Sequence, residues 1–337
     1  MITNRKNAAN ILPYGAKVVI WKKNFVVLSV VTFLHMPESP LFSVILPTYN
    51  RQALLRQSVL SVIAQTIGDW ELLVLDDGST DGTAAYMANL ADDRVRYISL
   101  PHGERSRARN TGIRMATGKY ICFLDDDDEY KPGFLSAFYD YYVKHNFPEE
   151  ITRVGYCRVK AGKSENMPLY RPSRHGNPVR FAAFHMCGVW TLCVPAVFLQ
   201  EDYFHPDFPH WQDTHLILRL VARHGMVQLP DHFYMYHIHK DMGSAKMADD
   251  LEQKLMVNLQ PIHHVFENYS ALLQPFLPAY TRDFLMAKKY LEFAQVALHH
   301  GRKNLFWKWL IVSLRMHASI RFWRHYGVIV RDFITRL

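Results

Sequence analysis

The stretch Tyr120-Ile121-Cys122-Phe123-Leu124-Asp125-Asp126-Asp127-Asp128 decides how this chain is read. A short, continuous apolar run reads as a strand buried on both faces, and this one ends abruptly in four acids. The pattern recurs upstream. Phe42–Leu46 is an apolar run that stops at Pro47 and opens the loop Thr48-Tyr49-Asn50. Glu71–Leu75 ends in Asp76-Asp77-Gly78, and Val95–Leu100 is a third strand. Between them, Arg51–Gln65 carries Leu54, Leu55, Val59, Val62 and Ile63 at helical spacing. Thr80–Leu90 starts from a Ser/Thr/Asp cap cluster, and Arg105–Ala116 is a third helix. Alternating strands and helices predict an α/β fold: a parallel sheet with helices on both faces. Such sheets bind ligands outside the carboxyl ends of their strands. The polar clusters at 47–51, 76–82 and 125–128 all fall at those ends.

After Pro132 the order loosens. Phe134–Lys144 reads as a helix, Arg153–Lys160 as a strand, Lys163–Pro178 as a loop, Thr191–Val194 as a strand and Thr214–His224 as a helix. From about Asp249 the pattern is helical, with breaks expected at Pro261, Pro275, Pro278 and Gly301.

The 337 residues are 49% hydrophobic and 21% charged, which suits one large domain with an appendage or two small ones and excludes wholesale disorder. Cys122, Cys157, Cys187 and Cys193 form no CxxC pair and read as buried free thiols. The net charge of +8 is uneven. Residues 1–35 hold Arg5, Lys6, Lys17, Lys22 and Lys23 and no acid. Residues 301–337 hold eight Lys or Arg against Asp332 alone, so the centre is mildly acidic. That distribution does not suit a nucleic-acid-binding body, whereas basic ends with interleaved aromatics suit an anionic membrane surface. Val26–Leu34 is too short to span a bilayer and lacks a small-residue cleavage site; Met36 as the start is the simpler expectation.

Four consecutive aspartates repel one another and raise one another's pKa values, a cost that a cation relieves. Mg²⁺ and Mn²⁺ take carboxylate oxygens and bridge to substrate phosphates, so Asp125–Asp128 is a candidate metal–diphosphate site. An acidic, solvated loop capping the next helix is the alternative. Asp76 and Asp77, also at a strand end, could accept the imide N–H of a uracil-like base, or belong to a capping turn in which Asp81 is structural.

The blocks Val44–Arg51, Gln65-Thr66, Trp70–Leu72, Asp76–Thr83, Ala108–Ile113 and Leu124–Asp128 occur in that order. Together they resemble the nucleotide-binding half of family 2 inverting glycosyltransferases of the GT-A fold, over about residues 42–145 and more weakly to about 245. The resemblance implies a Rossmann-like, mainly parallel sheet and a helical C-terminal extension. It divides the chain into an N-terminal extension (1–40), a nucleotide-sugar-binding half (41–130), an acceptor-binding half (131–245) and a basic helical extension (246–337). Pro47, Thr48 and Tyr49 match the loop lining base and ribose, and Arg51 follows on it as a phosphate contact or a helix-start residue. Asp77 matches the acid that reads the base. Arg109 and Asn110 approach the donor, Arg109 toward diphosphate or a sheet-end Asp. Asp125-Asp126-Asp127 matches the DxD motif, with Asp127 as ligand to Mn²⁺ or Mg²⁺ and Asp125 or Asp126 on the ribose hydroxyls. The family's general base follows from Trp211-Gln212-Asp213: Asp213 keeps the position, while Gln212 replaces the usual Glu; Asp202 and Asp207 are weaker alternatives. His239, and less so His237, falls where the family often has a histidine near metal or diphosphate.

The implied activity is transfer from a nucleotide-sugar donor, with UDP favoured, to a glycan or lipid-linked acceptor in bacterial-type cell-surface glycan synthesis. No nucleic acid is involved. The expected location is cytoplasmic, with peripheral contact at the cytoplasmic face of a membrane if Leu305–Arg324 lies on the leaflet rather than packing as a hairpin. The Q-x-x-R-W motif and multispan helices of processive synthases are missing, which points to single transfers. A nucleotidyltransferase would carry a Gly-rich basic loop where this chain has Pro-Thr-Tyr-Asn-Arg. A non-catalytic nucleotide-sugar-binding scaffold remains the alternative that Gln212 keeps open.

Overall fold

The computed structural model describes residues 39–185, 187–200, 203–239 and 250–316. The expectations for residues 1–38, for Asp202 and for the chain after Met316 lie outside these residues. From Pro40 onward the described chain forms one compact unit.

The first half alternates as expected: β1 (Phe42–Thr48), α1 (Gln52–Ile63), β2 (Trp70–Asp76), α2 (Thr83–Ala88), β3 (Val95–Ser99), α3 (Arg105–Met115) and β4 (Tyr120–Phe123). Then come β5 (Glu129–Tyr130), α4 (Phe134–Lys144), β6 (Thr152–Lys160), β7 (Lys163–Asn166), α5 (Pro172–His175), α6 (Pro178–Phe184), β8 (Leu192–Pro195), α7 (Gln212–His224) and β9 (Val227–Ile238). The helices α8 (Leu251–Asn268), α9 (Ser270–Leu273), α10 (Thr281–His299) and α11 (Lys303–Met316) follow. Among the described residues one sheet runs β3-β2-β1-β4-β8-β6-β9-β5, with β7 hairpinned on β6. β3, β2, β1 and β4 pair in parallel; β8 joins antiparallel to β4 and β6, and β6 and β9 pair in parallel.

β1, β2 and β4 are buried along their whole length because both faces are covered. Val44, Leu46, Leu72, Val74 and Cys122 pack with Leu55, Val59 and Val62 of α1 and Phe134 and Phe138 of α4. Ile45, Leu73, Leu75, Ile121 and Phe123 point to the other face, under α3, α6 and α7. α3 lies close on that face through Gly112, where a Cβ would come within 2.6 Å of Ile45 Cγ2. All four cysteines are buried and free.

Two expectations are corrected. Lys163–Pro178 is not a continuous loop: β7 returns along β6 through Ala161 and Gly162, both at positive φ (49° and 75°), and α5 follows. β7 is exposed along its length and carries no apolar pattern to reveal it. Nor does Pro261 break the helix; it lies inside α8. Leu255, Leu259, Ile262 and Val265 are buried along one side of α8, and their packing outweighs the backbone hydrogen bond a proline forfeits. The breaks fall around α9 and at Gly301, which has φ of 69°.

The C-terminal helices pack on one another. Phe306, Trp309 and Leu310 of α11 are buried with Leu285, Leu291 and Phe293 of α10 and Leu255 and Leu259 of α8. Each such large side chain contributes roughly 1.5–3 kcal/mol on burial. No helix among the described residues is long and apolar enough to cross a membrane.

Candidate active site

The loops at the carboxyl ends of β1, β2 and β4 meet. The β1 loop is held to the β2 loop by Asp77 N–H on Thr48 O (2.9 Å), Asn50 N–H on Ser79 Oγ (2.8 Å) and Thr80 N–H on Asn50 Oδ1 (2.7 Å). Asn50 takes φ of 51°, a conformation asparagine tolerates, and this turns the chain toward Arg51. Thr48 Oγ1 donates to Asp126 Oδ2 at 2.9 Å, and Arg51 Nη1 lies 3.1 Å from Asp126 Oδ1 and 2.9 Å from Asp127 Oδ2.

A cleft of about 540 Å³ opens there, lined by Pro47, Thr48, Tyr49, Arg51, Asp77, Asp125, Asp126, Asp127 and Asp213 together with His102, Arg105, Trp190, Trp211, Gln212 and Tyr236. Asp213 is brought in by α7, whose start is set by Trp211 at φ 61°, unusual for a bulky residue. α3 supplies the link. Arg109, only 1% exposed, donates from Nη2 to Asp125 Oδ1 (2.5 Å) and from Nη1 to Asp213 Oδ1 (2.7 Å). Asp213 Oδ2 has no hydrogen-bond partner among the described residues.

The carboxylates differ in their surroundings. Burial raises the Asp125 carboxyl, but Arg109 and Arg105 outweigh it and hold the group below its ordinary value. Burial lifts Asp126 to about 6, with Asp127 adding to the effect. Burial, opposed by Arg109 and reinforced by Asp125, leaves Asp213 raised. Asp128 is buried and raised well above the ordinary range, first by burial and then by Asp125 and Asp127. Its Oδ2 accepts Tyr234 Oη (2.7 Å) and its Oδ1 accepts His237 N–H (2.8 Å), so it fastens β9 to the acidic loop. His239 Nε2 lies 3.3 Å from Asp127 Oδ2, whereas the His237 ring lies beside Glu129 at 2.9 Å.

The base side is equally defined. Asp76 is used up by Ser79 N–H (2.8 Å) and Tyr97 Oη (2.5 Å). Asp77 accepts Gly103 N–H (2.9 Å) and has His102 Nδ1 3.1 Å from its Oδ2. The His102 ring stacks on Tyr49 with centroids 4.2 Å apart.

The family model for glycosyl transferase family 2 matches residues 43–184. A protein of Escherichia coli (strain K12) named for glycosyl transfer in colanic acid biosynthesis, WcaA, is 32% identical over 198 residues, covering 56% of this chain and 69% of WcaA. The chain belongs to glycosyltransferase family 2. The UDP-Glc:alpha-D-GlcNAc-diphosphoundecaprenol beta-1,3-glucosyltransferase WfgD of Escherichia coli is 36% identical over 107 residues, covering 32% of this chain and 42% of WfgD. The mannosyltransferase PcManGT of Pyrobaculum calidifontis, solved with GDP-Man and Mn²⁺, superimposes with a TM-score of 0.53 at 17% identity, covering 89% of this chain and 88% of that one. That likeness establishes the glycosyltransferase GT-A fold. Both of these Escherichia coli relatives are named as glycosyl-transferring proteins, one for colanic acid biosynthesis and one for a diphosphoundecaprenol-linked sugar.

Within this glycosyltransferase the structure gathers Pro47, Thr48, Tyr49, Arg51, Asp77, Asp125, Asp126, Asp127 and Asp213 around the cleft, with His239 beside Asp127, whereas the His237 ring is directed to Glu129 and the buried Asn110 is engaged with the Phe204 backbone. Asp207 is an exposed residue beside His205, away from the cleft lining. Arg109 is buried behind the carboxylates, facing Asp125 and Asp213. Sequence reading missed His102 and Arg105. The loop after β3 is a strand end like the others, and that rule would have found both residues. Arg105 sits at the first turn of α3 and lines the cleft, where the charges of Asp125, Asp126, Asp127 and Asp213 outweigh desolvation and favour its charged form.

The donor atoms fit a hard divalent ion. Oxygens of Asp125, Asp127 and Asp128 lie within 4.8 Å of one another. Both Asp128 oxygens already accept hydrogen bonds, which leaves Asp125 and Asp127, beside His239, as the residues that would hold Mn²⁺ or Mg²⁺.

Proposed function

We propose that this enzyme transfers a sugar, with inversion, from a UDP-sugar to an acceptor hydroxyl of a lipid-linked glycan. One observation carries the reading: Asp213 lies in the same cleft as Asp125–Asp127, fixed by Arg109, with one oxygen left to face an acceptor.

Tyr49, Pro47 and Thr48 line the base and ribose, and Asp77 reads the base edge. Asp126 is saturated by Thr48 and Arg51, so Asp125 is the better ribose contact. Arg51 and Arg105 take the diphosphate. A divalent ion on Asp127, with His239 and Asp125 beside it, would neutralise charge developing on the leaving diphosphate. Asp213 Oδ2 takes the acceptor proton as the oxygen attacks opposite the leaving group, and its raised pKa brings it nearer the operating pH. A single displacement of this kind inverts the anomeric centre.

UDP and a diphospholipid acceptor are supported by the name of WfgD. The acceptor half is residues 131–245. Trp307 and Ile311, exposed on α11 between Lys303, Lys308 and Arg315, suit peripheral contact at the cytoplasmic face of a membrane.

Calorimetric titration with UDP and with GDP, each with and without Mn²⁺, tests this. Metal-dependent UDP binding that is lost in Asp127→Ala is expected. Preference for GDP would refute the donor, and metal-independent binding would refute the role of Asp127.

A further inference from the structure

A second cleft opens between α5, α6 and the long helix α10. It encloses about 640 Å³, within the range of about 300–1,000 Å³ common for small-molecule sites. Phe181, Phe184, Phe284 and Leu291 form its apolar wall, and Arg174, Arg180 and Lys288 stand around it. These three cations are exposed, and none has a carboxylate within 4.0 Å among the described residues. The one acid of the lining, Glu292, is already engaged by Lys289 Nζ at 2.7 Å.

The ground beneath the cleft is also positive. Arg153 of β6 is fully buried behind Phe181, its guanidinium carbon 5.1 Å from the ring centroid. Its Nη1 donates to Gln228 Oε1 at 2.5 Å, the Cys187 thiol lies beside the guanidinium, and Nε and Nη2 have no closer hydrogen-bond partner among the described residues. His175, also buried and part of the lining, accepts Arg171 N–H on Nδ1 (2.9 Å); its proton is therefore on Nε2, and that donor has no partner among the described residues. The His185 imidazole is held below its ordinary pKa by burial first, and the positive charges of Arg174 and Lys288 act in the same direction. Buried cations are normally paired. Here a fully buried guanidinium and three unpaired surface cations surround a wall of phenylalanines.

We propose that this cleft binds the phosphorylated end of an isoprenoid-type lipid, the carrier of the acceptor. The phosphate sits among Arg174, Arg180 and Lys288, and the first apolar units of the chain lie on Phe184, Phe284 and Leu291. The proposal rests on the lipid-linked acceptor reading above and adds to it a place where the carrier is held. A small inorganic anion would make no use of three phenylalanines. A neutral glycan would make no use of unpaired cations. An anionic amphiphile uses both.

The test is calorimetric titration of the full chain with farnesyl diphosphate below its micellar concentration, compared with inorganic pyrophosphate and with farnesol. One site is expected, at least tenfold tighter for farnesyl diphosphate than for either fragment. The Arg180→Ala/Lys288→Ala double variant, altered only at exposed positions, should weaken it at least tenfold, and Phe284→Ala should weaken it while leaving pyrophosphate unchanged. All variants should bind UDP with Mn²⁺ as the parent does. Equal affinity for pyrophosphate and farnesyl diphosphate, unchanged binding by the double variant, no binding at all, or UDP occupying the same cleft would overturn the proposal. Intact UDP binding alongside any of these would leave the transferase reading standing and remove only the carrier site.

Discussion

Replacing Arg109 with methionine tests the frame of the site without needing a substrate. Methionine keeps most of the length and removes the charge, so Asp125 and Asp213 lose the group between them. Breaking a buried ion pair by removing one partner costs about 3–5 kcal/mol. Asp125 and Asp213 keep 14% and 22% of their side-chain surface, so water softens the loss and the lower end, about 3 kcal/mol, applies. At a urea slope of about 3 kcal/mol per molar that is a midpoint drop of roughly 1 M. The pH dependence carries a sign. Asp125, held below its ordinary value in the parent, contributes stability above the unfolded pKa of about 3.9 and loses it as pH falls through the lower folded value. Without Arg109, burial dominates and the folded value rises above the unfolded one, so the cost grows as pH rises through it. The Arg109→Met penalty should therefore be largest at pH 7–8 and shrink toward pH 5. Adding Asp213→Asn should recover part of it, because one of the two stranded charges is gone. A loss below 1 kcal/mol at pH 7.5, or the same loss at both pH values, would refute the bridging role.

Asp213→Asn should leave Mn²⁺-dependent UDP binding within twofold and lower UDP release in the presence of acceptor by about 10²–10⁴-fold; near-normal turnover would remove Asp213 as the base. Stability should also fall with acidification from a group outside the cleft. His215 is buried on α7, 3.0 Å from His264, and burial first, then Arg219, lowers its pKa to about 2. Its depressed folded value means the neutral form supports the fold above the unfolded pKa of about 6.5, and that support is lost as pH falls below it. Between pH 7 and 5 the loss approaches about 2 kcal/mol. Chemical denaturation of the parent and of His215→Gln should show a flatter pH profile for the variant; parallel profiles would count against this assignment.

The donor half was legible because each of its strands is a short apolar run cut off by polar residues. That pattern fixes both the buried sheet and the end at which ligands gather. Asp126 lies far in sequence from Thr48 and Arg51 but at an adjacent strand end, so their contact follows from a parallel sheet with β1 between β2 and β4. What sequence did not give was pairing that depends on distant partners. β7 is polar and exposed, and only β6 makes it a strand. Pro261 reads as a break until the buried row on α8 is known. The position of Arg109 between two carboxylates requires α3 and α7 to share a face of the sheet, which spacing alone does not show. The second cleft carries no motif, because its residues come from helices that lie far apart in sequence, α5 and α6 on one side and α10 on the other.

The four aspartates explain one another once their partners are counted. Asp128 spends both oxygens on Tyr234 and the His237 backbone and so carries β9, with Tyr236 and His239, to the cleft. Asp126 spends its oxygens on Thr48 and Arg51 and ties the β1 loop to the β4 loop. Two members of the run are thus structural, and burial favours their neutral forms. Asp125 is committed to Arg109 through one oxygen, and through Arg109 to Asp213. That leaves Asp127, contacted by the ends of Arg51 and His239, as the carboxylate whose present partners are side chains that can turn aside. A substitution at Asp126 or Asp128 should therefore cost stability before it costs metal affinity, whereas one at Asp127 should do the reverse. The order of those two losses, rather than loss of activity, separates the scaffold of this acidic loop from its chemistry.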